Sequence, residues 1–198
     1  MADKKEQILD AAKQLFNRQG YSKTSVDDIS QAVGMRKSSL YYYFKNKEDL
    51  FMCSFKNDWG EKFKLFEKEA NKENKPSEKI LTYITQSLNY YEKVVIEHRI
   101  PVKALIETRN LYRSFVNKIN RGGIEFYITA INEGIQSGEF KECEVEKVAE
   151  ALFLIKFSIQ YDQLSMFLHT YPSEEDWTHI REQILYAVGL VLNGIRKI

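Results

Sequence analysis

Apolar residues recur at the three- and four-residue spacing of an α-helix along almost the whole of this 198-residue chain. No run of alternating apolar and polar residues is strong enough to indicate a β-strand. The three prolines all lie beyond residue 75, which leaves the first third of the chain free for uninterrupted helices. The sequence therefore predicts an all-α fold.

Three short helices are predicted before residue 47. The first ends at Gly20, which supplies a left-handed stop. The second begins at a capping box formed by Ser25 and Asp28, and Gly34 ends it after barely two turns. Asn46 then caps a fourth, longer helix. The inward-facing apolar positions are Ile8, Ala12, Leu15, Phe16, Val26, Ile29, Val33, Leu40, Tyr43 and Phe44.

The middle of the chain is also predicted to be helical. An aromatic stripe indicates a fourth helix from Lys47 to about Ala70, and a fifth covers about 77–98. Pro101 starts a sixth helix, and Gly122-Gly123 breaks the pattern before a seventh. The stripe of the fourth helix consists of Phe51, Phe55, Trp59, Phe63 and Phe66.

The last two helices are predicted over 144–170, ended by Pro172, and over about 174–196, capped by Ser173 with Asp176. The helix over 144–170 is apolar nearly all round, and the core of one subunit can cover only one of its faces. We therefore expect a homodimer in which these two helices from each subunit form a four-helix interface.

Several classes of protein are excluded by what the sequence lacks. Cys53 and Cys143 are far apart and, like the three histidines, show no short metal-ligand spacing. There is no phosphate-binding glycine loop and no nucleophile elbow. No apolar run approaches a membrane span, and no signal-peptide pattern opens the chain. We expect a soluble, cytoplasmic protein that is not an enzyme and uses no metal, cofactor or membrane.

A small basic region extends from the second helix to the start of the fourth. The whole chain has a net charge of +1, but residues 29–47 contain Arg36, Lys37, Lys45 and Lys47 and no acid. Two short helices joined by a tight glycine turn are typical of a helix-turn-helix. The sequence therefore predicts DNA binding, with an ordinary helical corner as the alternative.

The outer side of the third helix is predicted to read DNA. Its apolar positions point inward, which leaves donors and flat amphipathic groups outside. Side chains of this kind reach base edges from a helix in the major groove. The candidates for base contacts are Lys37, Ser38, Ser39 and Tyr42. For Lys37, a contact to phosphate only is the alternative.

The most specific motif is a string of segments over residues 6–52. It runs Ile8-Leu9-x-Ala11-Ala12-x-x-Leu15-Phe16-x-x-x-Gly20-Tyr21, Thr24-Ser25-Val26-x-x-Ile29, Ala32-Val33-Gly34-Met35 and Lys37-Ser38-Ser39-Leu40-Tyr41-Tyr42-Tyr43-Phe44-x-Asn46-Lys47-Glu48-x-Leu50. This string resembles the DNA-binding domain of the TetR/AcrR family of transcriptional repressors. Arg36 stands where a small Ser is frequent in that family, and Ser38 where Gly is frequent. We expect these two departures to alter the operator sequence rather than abolish binding.

The resemblance implies a fold of nine helices, a symmetric dimer and an effector pocket in the C-terminal domain. It divides the chain into a helix-turn-helix domain over 1–47 and an effector-binding and dimerisation domain over 48–198. Matched position by position, it implies DNA phosphate contacts from Thr24, Ser25, Tyr41, Tyr43 and Lys47. Ser25 is equally well explained as a plain helix cap, and Tyr43 as mostly core.

Aromatic side chains are the notable feature of the C-terminal half. By the resemblance, their helices would surround a cavity, and an apolar pocket with a few polar tips is the usual form of a small-molecule site. Each aromatic residue is also explained as plain core. Arg109 and Arg113 are one turn apart and either face an acidic ligand group or form a solvated surface pair. The candidate pocket residues are Tyr83, Tyr90, Phe115, Phe126, Tyr127, Phe153, Phe157 and Tyr161.

These features predict a ligand-responsive transcriptional regulator. We expect a repressor that binds a palindromic double-stranded DNA operator as a homodimer. A largely apolar small effector molecule, with or without an acidic end, would release it. The alternatives are an all-helical interaction or scaffold protein and a constitutive DNA-binding protein without an effector.

Overall fold

The computed structural model describes residues 4–97, 102, 113–168 and 170–197, apart from the side chains of 55–60 and 113–120. Eight helices and no β-strand occur among these residues, so the predicted all-α fold is confirmed. None of the described helices is long and apolar enough to cross a membrane. The helices are α1 (Lys4–Gln19), α2 (Val26–Ala32), α3 (Lys37–Tyr43), α4 (Lys47–Ala70), α5 (Pro76–Glu97), α6 (Arg113–Ser137), α7 (Val145–Ser165) and α8 (Glu174–Ile195).

The predicted helix caps are present. Ser25 and Asp28 form a reciprocal capping box at the start of α2. Asn46 accepts a 2.7 Å hydrogen bond from the backbone N–H of Asp49 at the start of α4. A second capping box, between Ser173 and the residue three positions later, begins α8. Each cap satisfies a backbone N–H that has no partner inside its own helix, so the start of the helix is set locally.

Helices α1–α3 and the beginning of α4 share one hydrophobic core. Phe16 is fully buried in it, and its ring centroid lies 5.8 Å from that of Tyr21 and 5.1 Å from that of Phe51. The core therefore extends beyond residue 47, and the division at 47/48 stays a prediction. Its buried members are Ile8, Ala12, Phe16, Tyr21, Val26, Ile29, Leu40, Phe44, Leu50, Phe51, Met52 and Val94.

Helices α5–α8 form a four-membered ring around a second core. In this ring α5 packs against α6 and α8, and α7 packs against the same two helices. Helix α4 packs against α1 at one side and α5 at the other. Tyr90, on α5, contacts both hydrophobic cores. Helices α4 and α5 therefore connect the first three helices to the ring.

Two predicted helix ends are wrong. Gly122 and Gly123 do not break a helix but lie inside α6. A glycine costs a helix only about 1 kcal/mol, and the apolar face that includes Tyr127 and Ile131 is buried and holds α6 together. Helix α7 ends at Ser165 instead of continuing toward Pro172, because Met166 beyond it is 68% exposed and gains nothing from a further turn.

The turn after α6 closes against the end of α8. Gly138 has a φ of +79°, and the backbone N–H of Phe140 donates to the carbonyl of Gly134 at 2.9 Å. The backbone N–H of Lys141 donates to the carbonyl of Ile195 at 2.9 Å. The ring of Phe140 is buried directly over Gly134. The predicted sixth helix, beginning at Pro101, lies outside the described residues.

Candidate nucleic-acid interface

A tight turn joins α2 to α3. Gly34 has a φ of +65°, and the backbone N–H of Met35 donates to the carbonyl of Ser30 at 2.8 Å. Leu40 and Phe44 are 1% and 3% exposed and attach the inner side of α3 to the first core. The predicted helix-turn-helix geometry is therefore present, and the inner face of α3 is fully committed to the core.

The outer side of α3 carries the four predicted base contacts. Lys37 and Ser38 are exposed and Ser39 is partly exposed. Tyr42 is 87% exposed and projects furthest into solvent of these four. Its ring meets the edge of Tyr43 at 5.4 Å between centroids but is not itself part of the buried core. The four side chains share one accessible surface at the beginning and outer face of α3.

Lys37 forms an ion pair with α2. Its Nζ lies 2.7 Å from Oδ2 of Asp27, and both side chains are about half exposed. The hydrogen bond and the negative charge of Asp27 raise the pKa of Lys37 above its usual range. An exposed ion pair of this kind is weak, so the ammonium group can exchange Asp27 for an acceptor on DNA at small cost.

The predicted phosphate contacts differ in accessibility. Ser25 is exposed and forms the cap of α2, so its predicted cap role is confirmed. Tyr41 is 47% exposed and Tyr43 is partly buried beside Tyr42. Thr24 is only 1% exposed, and its hydroxyl donates to the carbonyl of Gly20 at 2.9 Å. A phosphate contact from that hydroxyl would require it to leave this carbonyl.

Lys47 lies at the first turn of α4 against the ring of Tyr21. Its Nζ is 4.2 Å from the ring centroid, a cation–π distance. Partial burial lowers the pKa of Lys47. The hydroxyl of Tyr21 donates to the carboxylate of Glu48 at 2.5 Å, which fixes the ring in place. Lys47 is therefore held in one position at the edge of the first core.

Two further cations lie beside the turn and were missed by the sequence interpretation. Nζ of Lys4 donates to the carbonyl of Val33 at 3.4 Å, and Nζ of Lys5 lies 5.7 Å from the ring centroid of Phe44. The charge count over 29–47 did not include them. Their position in the first turn of α1 was the available signal, but only the fold brings that turn to α2 and α3.

The predicted effector residues separate into two groups. Tyr83 lies at the centre of the first group, with ring centroids 4.4 Å from Phe126, 5.7 Å from Tyr127 and 6.2 Å from Phe66. Tyr90 also contacts Phe66, at 5.7 Å. These residues bring together α4, α5 and α6 on the inside of the C-terminal half.

The second group lies on α7. The rings of Phe153 and Phe157 stack at 5.7 Å, while Tyr161 is 40% exposed. The side chains of Arg109, Arg113 and Phe115 lie outside the described residues.

Helices α7 and α8 expose a series of large apolar side chains. Leu154 is 58% exposed on α7, and Leu190 is 55% exposed on α8. Large exposed apolar side chains on neighbouring helices are typical of surfaces that contact another chain. The exposed apolar side chains of this region are Leu154, Tyr161, Met166, Tyr186 and Leu190.

Comparison with known proteins supports this arrangement. Residues 8–52 match the model of the tetR family of bacterial regulatory proteins. The fatty acid metabolism regulator protein of Bacillus subtilis is 31% identical over 139 residues, which span 69% of this chain and 70% of that protein. A transcriptional regulator from Cytophaga hutchinsonii has the same fold, with a TM-score of 0.75, 23% identity and coverage of 97% of this chain and 98% of that one.

A further solved structure is that of the transcriptional regulator FadR from Bacillus subtilis in complex with stearoyl-CoA. It has a TM-score of 0.60 and 25% identity, and it covers 96% of this chain and 99% of that one. These relatives regulate transcription, so the prediction of a DNA-binding regulator rather than an enzyme is confirmed. The chain belongs to the TetR family of bacterial transcriptional regulators.

Proposed function

We propose that this regulator is a repressor, that it binds a palindromic operator as a homodimer, and that a small apolar effector releases it from DNA. The observation that carries the proposal is the outer face of α3, where polar side chains and the 87%-exposed Tyr42 have no part in the core. In this proposal the base edges are read by Lys37, Ser38, Ser39 and Tyr42, and phosphates are bound by Thr24, Ser25, Tyr41, Tyr43 and Lys47.

The division between base and phosphate contacts is tested by two lysine variants. Lys37→Ala should relax sequence preference at one base pair by about 1–3 kcal/mol. Lys47→Ala should weaken binding to all duplexes alike and reduce its salt dependence, because it removes a phosphate contact. Fluorescence anisotropy with promoter DNA and with a shuffled duplex measures both effects. Equal losses for both variants on both duplexes would contradict this division of roles.

The dimer is proposed to form through α7 and α8. Their exposed apolar residues include Leu154 and Leu190, which a second subunit would cover. Two recognition helices related by a twofold axis fit successive major grooves about 34–36 Å apart, which explains the palindrome. Light scattering at micromolar concentration should give twice the mass of the chain. A monomer there would contradict the proposal.

The effector is proposed to be an apolar molecule of the fatty-acyl type. The support comes from the aromatic interior around Tyr83 and from FadR of Bacillus subtilis, which was solved with stearoyl-CoA. An added effector should raise the melting temperature and release operator DNA. A panel of alkyl and aromatic compounds that changes neither would favour a constitutive DNA-binding protein instead.

Ligand and DNA sites are proposed to communicate through α4. Phe63 contacts Phe66 at 5.4 Å, and Phe66 in turn contacts Tyr83 and Tyr90. Because Tyr90 also reaches the first core, a shift in the aromatic interior can move the DNA-binding helices. The ligand can shift this equilibrium only by its preference for the form that does not bind DNA.

Two variants separate binding from communication. Tyr127→Ala should change the effector response while DNA affinity without effector stays nearly intact. Phe63→Ala should leave both binding events in place but uncouple them. Anisotropy titrations of DNA with and without a saturating effector measure the coupling. If Phe63→Ala retains the full effector response, α4 is not the connecting element.

A further inference from the structure

Lys156 is an unusual residue for its place in the fold. It lies on α7 seven residues after Ala149, four after Leu152 and four before Gln160. This spacing puts all four residues on one face of the helix. The other three are 0%, 0% and 6% exposed, so the face is the one buried inside the ring of α5–α8. A partly buried lysine therefore lies in the middle of an inward-facing stripe.

Lys156 has no ion-pair partner in the described part of the chain. Burial alone lowers its pKa to about 8. Other lysines of these helices are paired: Lys147 lies 2.7 Å from Glu144, and Lys79 lies 2.6 Å from Glu133. Burying a cation without a partner destabilises a protein, so the position calls for an explanation.

A second donor in the same core also lacks an acceptor. Within the described part of the chain, Nε1 of Trp177 is fully buried and has no hydrogen-bond partner. Its ring lies against that of Tyr91, at 6.3 Å between centroids. Orphaned buried donors are uncommon in proteins and indicate a missing water or ligand. Both the ammonium group and the indole N–H can only donate, so an acceptor would satisfy either one.

We propose that the effector carries an anionic oxygen group on an apolar body, and that Lys156 is the residue that pairs with this group. The inference rests on the proposed function, whose effector it defines more closely. Apolar and aromatic side chains of α5–α8 would surround the body of the ligand, and the ammonium group would bind its charged end. A charge-assisted hydrogen bond inside an apolar site is among the stronger polar contacts available to a protein.

The depth of Lys156 favours a compact anion. The residue lies near the middle of α7, away from both ends of the ring. A carboxylate fits at such a depth, whereas the phosphates of an acyl-CoA would have to enter far into the helices. A carboxylate and a phosphate both present an anionic oxygen, and the following experiment distinguishes between them.

The test is calorimetric titration of the full chain with dodecanoate, dodecanoyl-CoA and the neutral dodecanol. The wild type is compared with Lys156→Met and with Lys156→Arg, which keeps the charge. Lys147→Met is the matched control, because it removes an exposed, paired lysine from the same helix. A Lys156→Gln variant serves in place of Lys156→Met if the latter fails to fold.

We expect Lys156→Met to weaken the binding of an anionic probe by about 10- to 100-fold and to leave dodecanol unchanged. Lys156→Arg should restore part of the loss, and Lys147→Met should have no effect. Loss for dodecanoate identifies a carboxylate as the anion, and loss for dodecanoyl-CoA alone identifies the phosphates.

Three results would overturn the inference: no binding of either anionic probe to the wild type, unchanged anion binding by Lys156→Met, or equal losses for anionic and neutral probes. If dodecanol nevertheless releases the wild type from DNA, the proposed apolar effector stands and only the role of Lys156 fails. If no probe releases DNA, the proposed effector response fails as well.

Discussion

The first three helices and the ring of α5–α8 handle polar groups in opposite ways. In the helix-turn-helix, the charged groups lie outside a dense aromatic core, and Lys37 is paired with Asp27 at the surface. In the ring, by contrast, Lys156 and Trp177 place donors on the inside, and neither has a partner among the described residues. The helix-turn-helix region keeps its polar groups outside its core, whereas the ring retains polar groups that a solid core would not need.

The two regions also differ in how far apart in the sequence their contacting residues lie. The start of α2 depends on Ser25 and Asp28, which are three residues apart. The ring depends on contacts such as that between Arg181 and Glu92, where the guanidinium and carboxylate are 2.5 Å apart across α8 and α5. Contacts of the first kind are recognisable in the sequence, whereas contacts between distant residues become visible only in the fold.

The largest effect is expected from Phe16→Ala. Removing this fully buried ring should cost about 3–5 kcal/mol and abolish DNA binding, because Tyr21 and Phe51 lose their common neighbour. Urea unfolding and anisotropy measure the two losses. We expect the ring of α5–α8 to stay folded when the helix-turn-helix region unfolds. Tyr42→Ala is the control, with stability changed by less than about 0.5 kcal/mol. A single unfolding transition for the whole chain would show that the two regions unfold together and not independently.

Lys156→Met should stabilise the protein at pH 7, by up to about 3 kcal/mol. The pKa of Lys156 falls from 10.5 to about 8 on folding, so below pH 8 the folded protein bears the cost of a buried charge. Between pH 8 and 10.5 the unfolded chain binds more protons than the folded one, and the wild type regains stability as pH rises. The advantage of the variant should therefore disappear by about pH 10.5.

Urea unfolding of both proteins at pH 7 and at pH 10.5 measures this difference. A destabilised Lys156→Met at pH 7 would show that the ammonium group contributes to the folded ring rather than to a ligand site.

Gly134→Ala should destabilise the ring by about 2 kcal/mol. A Cβ atom at this position would lie 2.1 Å from Cδ2 of Phe140, and that ring is buried and has no room to move. Gly122→Ala in the same helix is the matched control, since its Cβ would meet nothing within 4 Å. There we expect a gain of up to about 1 kcal/mol from helix propensity. Thermal unfolding measures the change in stability of each variant. If both variants were stabilised, or both destabilised, the expected close approach at Gly134 would be contradicted.

The smallest effect is expected from Asp27→Asn. Releasing Lys37 from its ion pair should strengthen DNA binding by about 0.2–1 kcal/mol, because the ammonium group no longer exchanges one anion for another. Anisotropy at low and at high salt measures the gain, which should shrink with salt. A weaker complex would show that Asp27 positions Lys37 for its base contact.

The sequence interpretation was most accurate where the residues that set the structure lie close together in the sequence. The limits of α4 at Lys47 and Ala70 and the caps at Asn46 and Ser173 were predicted as they occur. It was wrong at Gly122-Gly123, where burial of the rest of α6 outweighs the low helix propensity of glycine. The candidate DNA contacts stay predictions, although every one of their side chains except that of Thr24 is at least partly exposed.

The all-α class, the caps and the outer face of α3 were predictable from the sequence, because each follows from residues within one or two helical turns of each other. The family was predictable from the motif string over residues 6–52. Three other facts appear only in the folded protein: Lys37 pairs with Asp27, Lys4 donates to the carbonyl of Val33, and Lys156 faces inward with no ion-pair partner among the described residues. Those facts depend on which helices become neighbours. Burial of apolar surface settles that choice across the whole chain, and no local pattern encodes it.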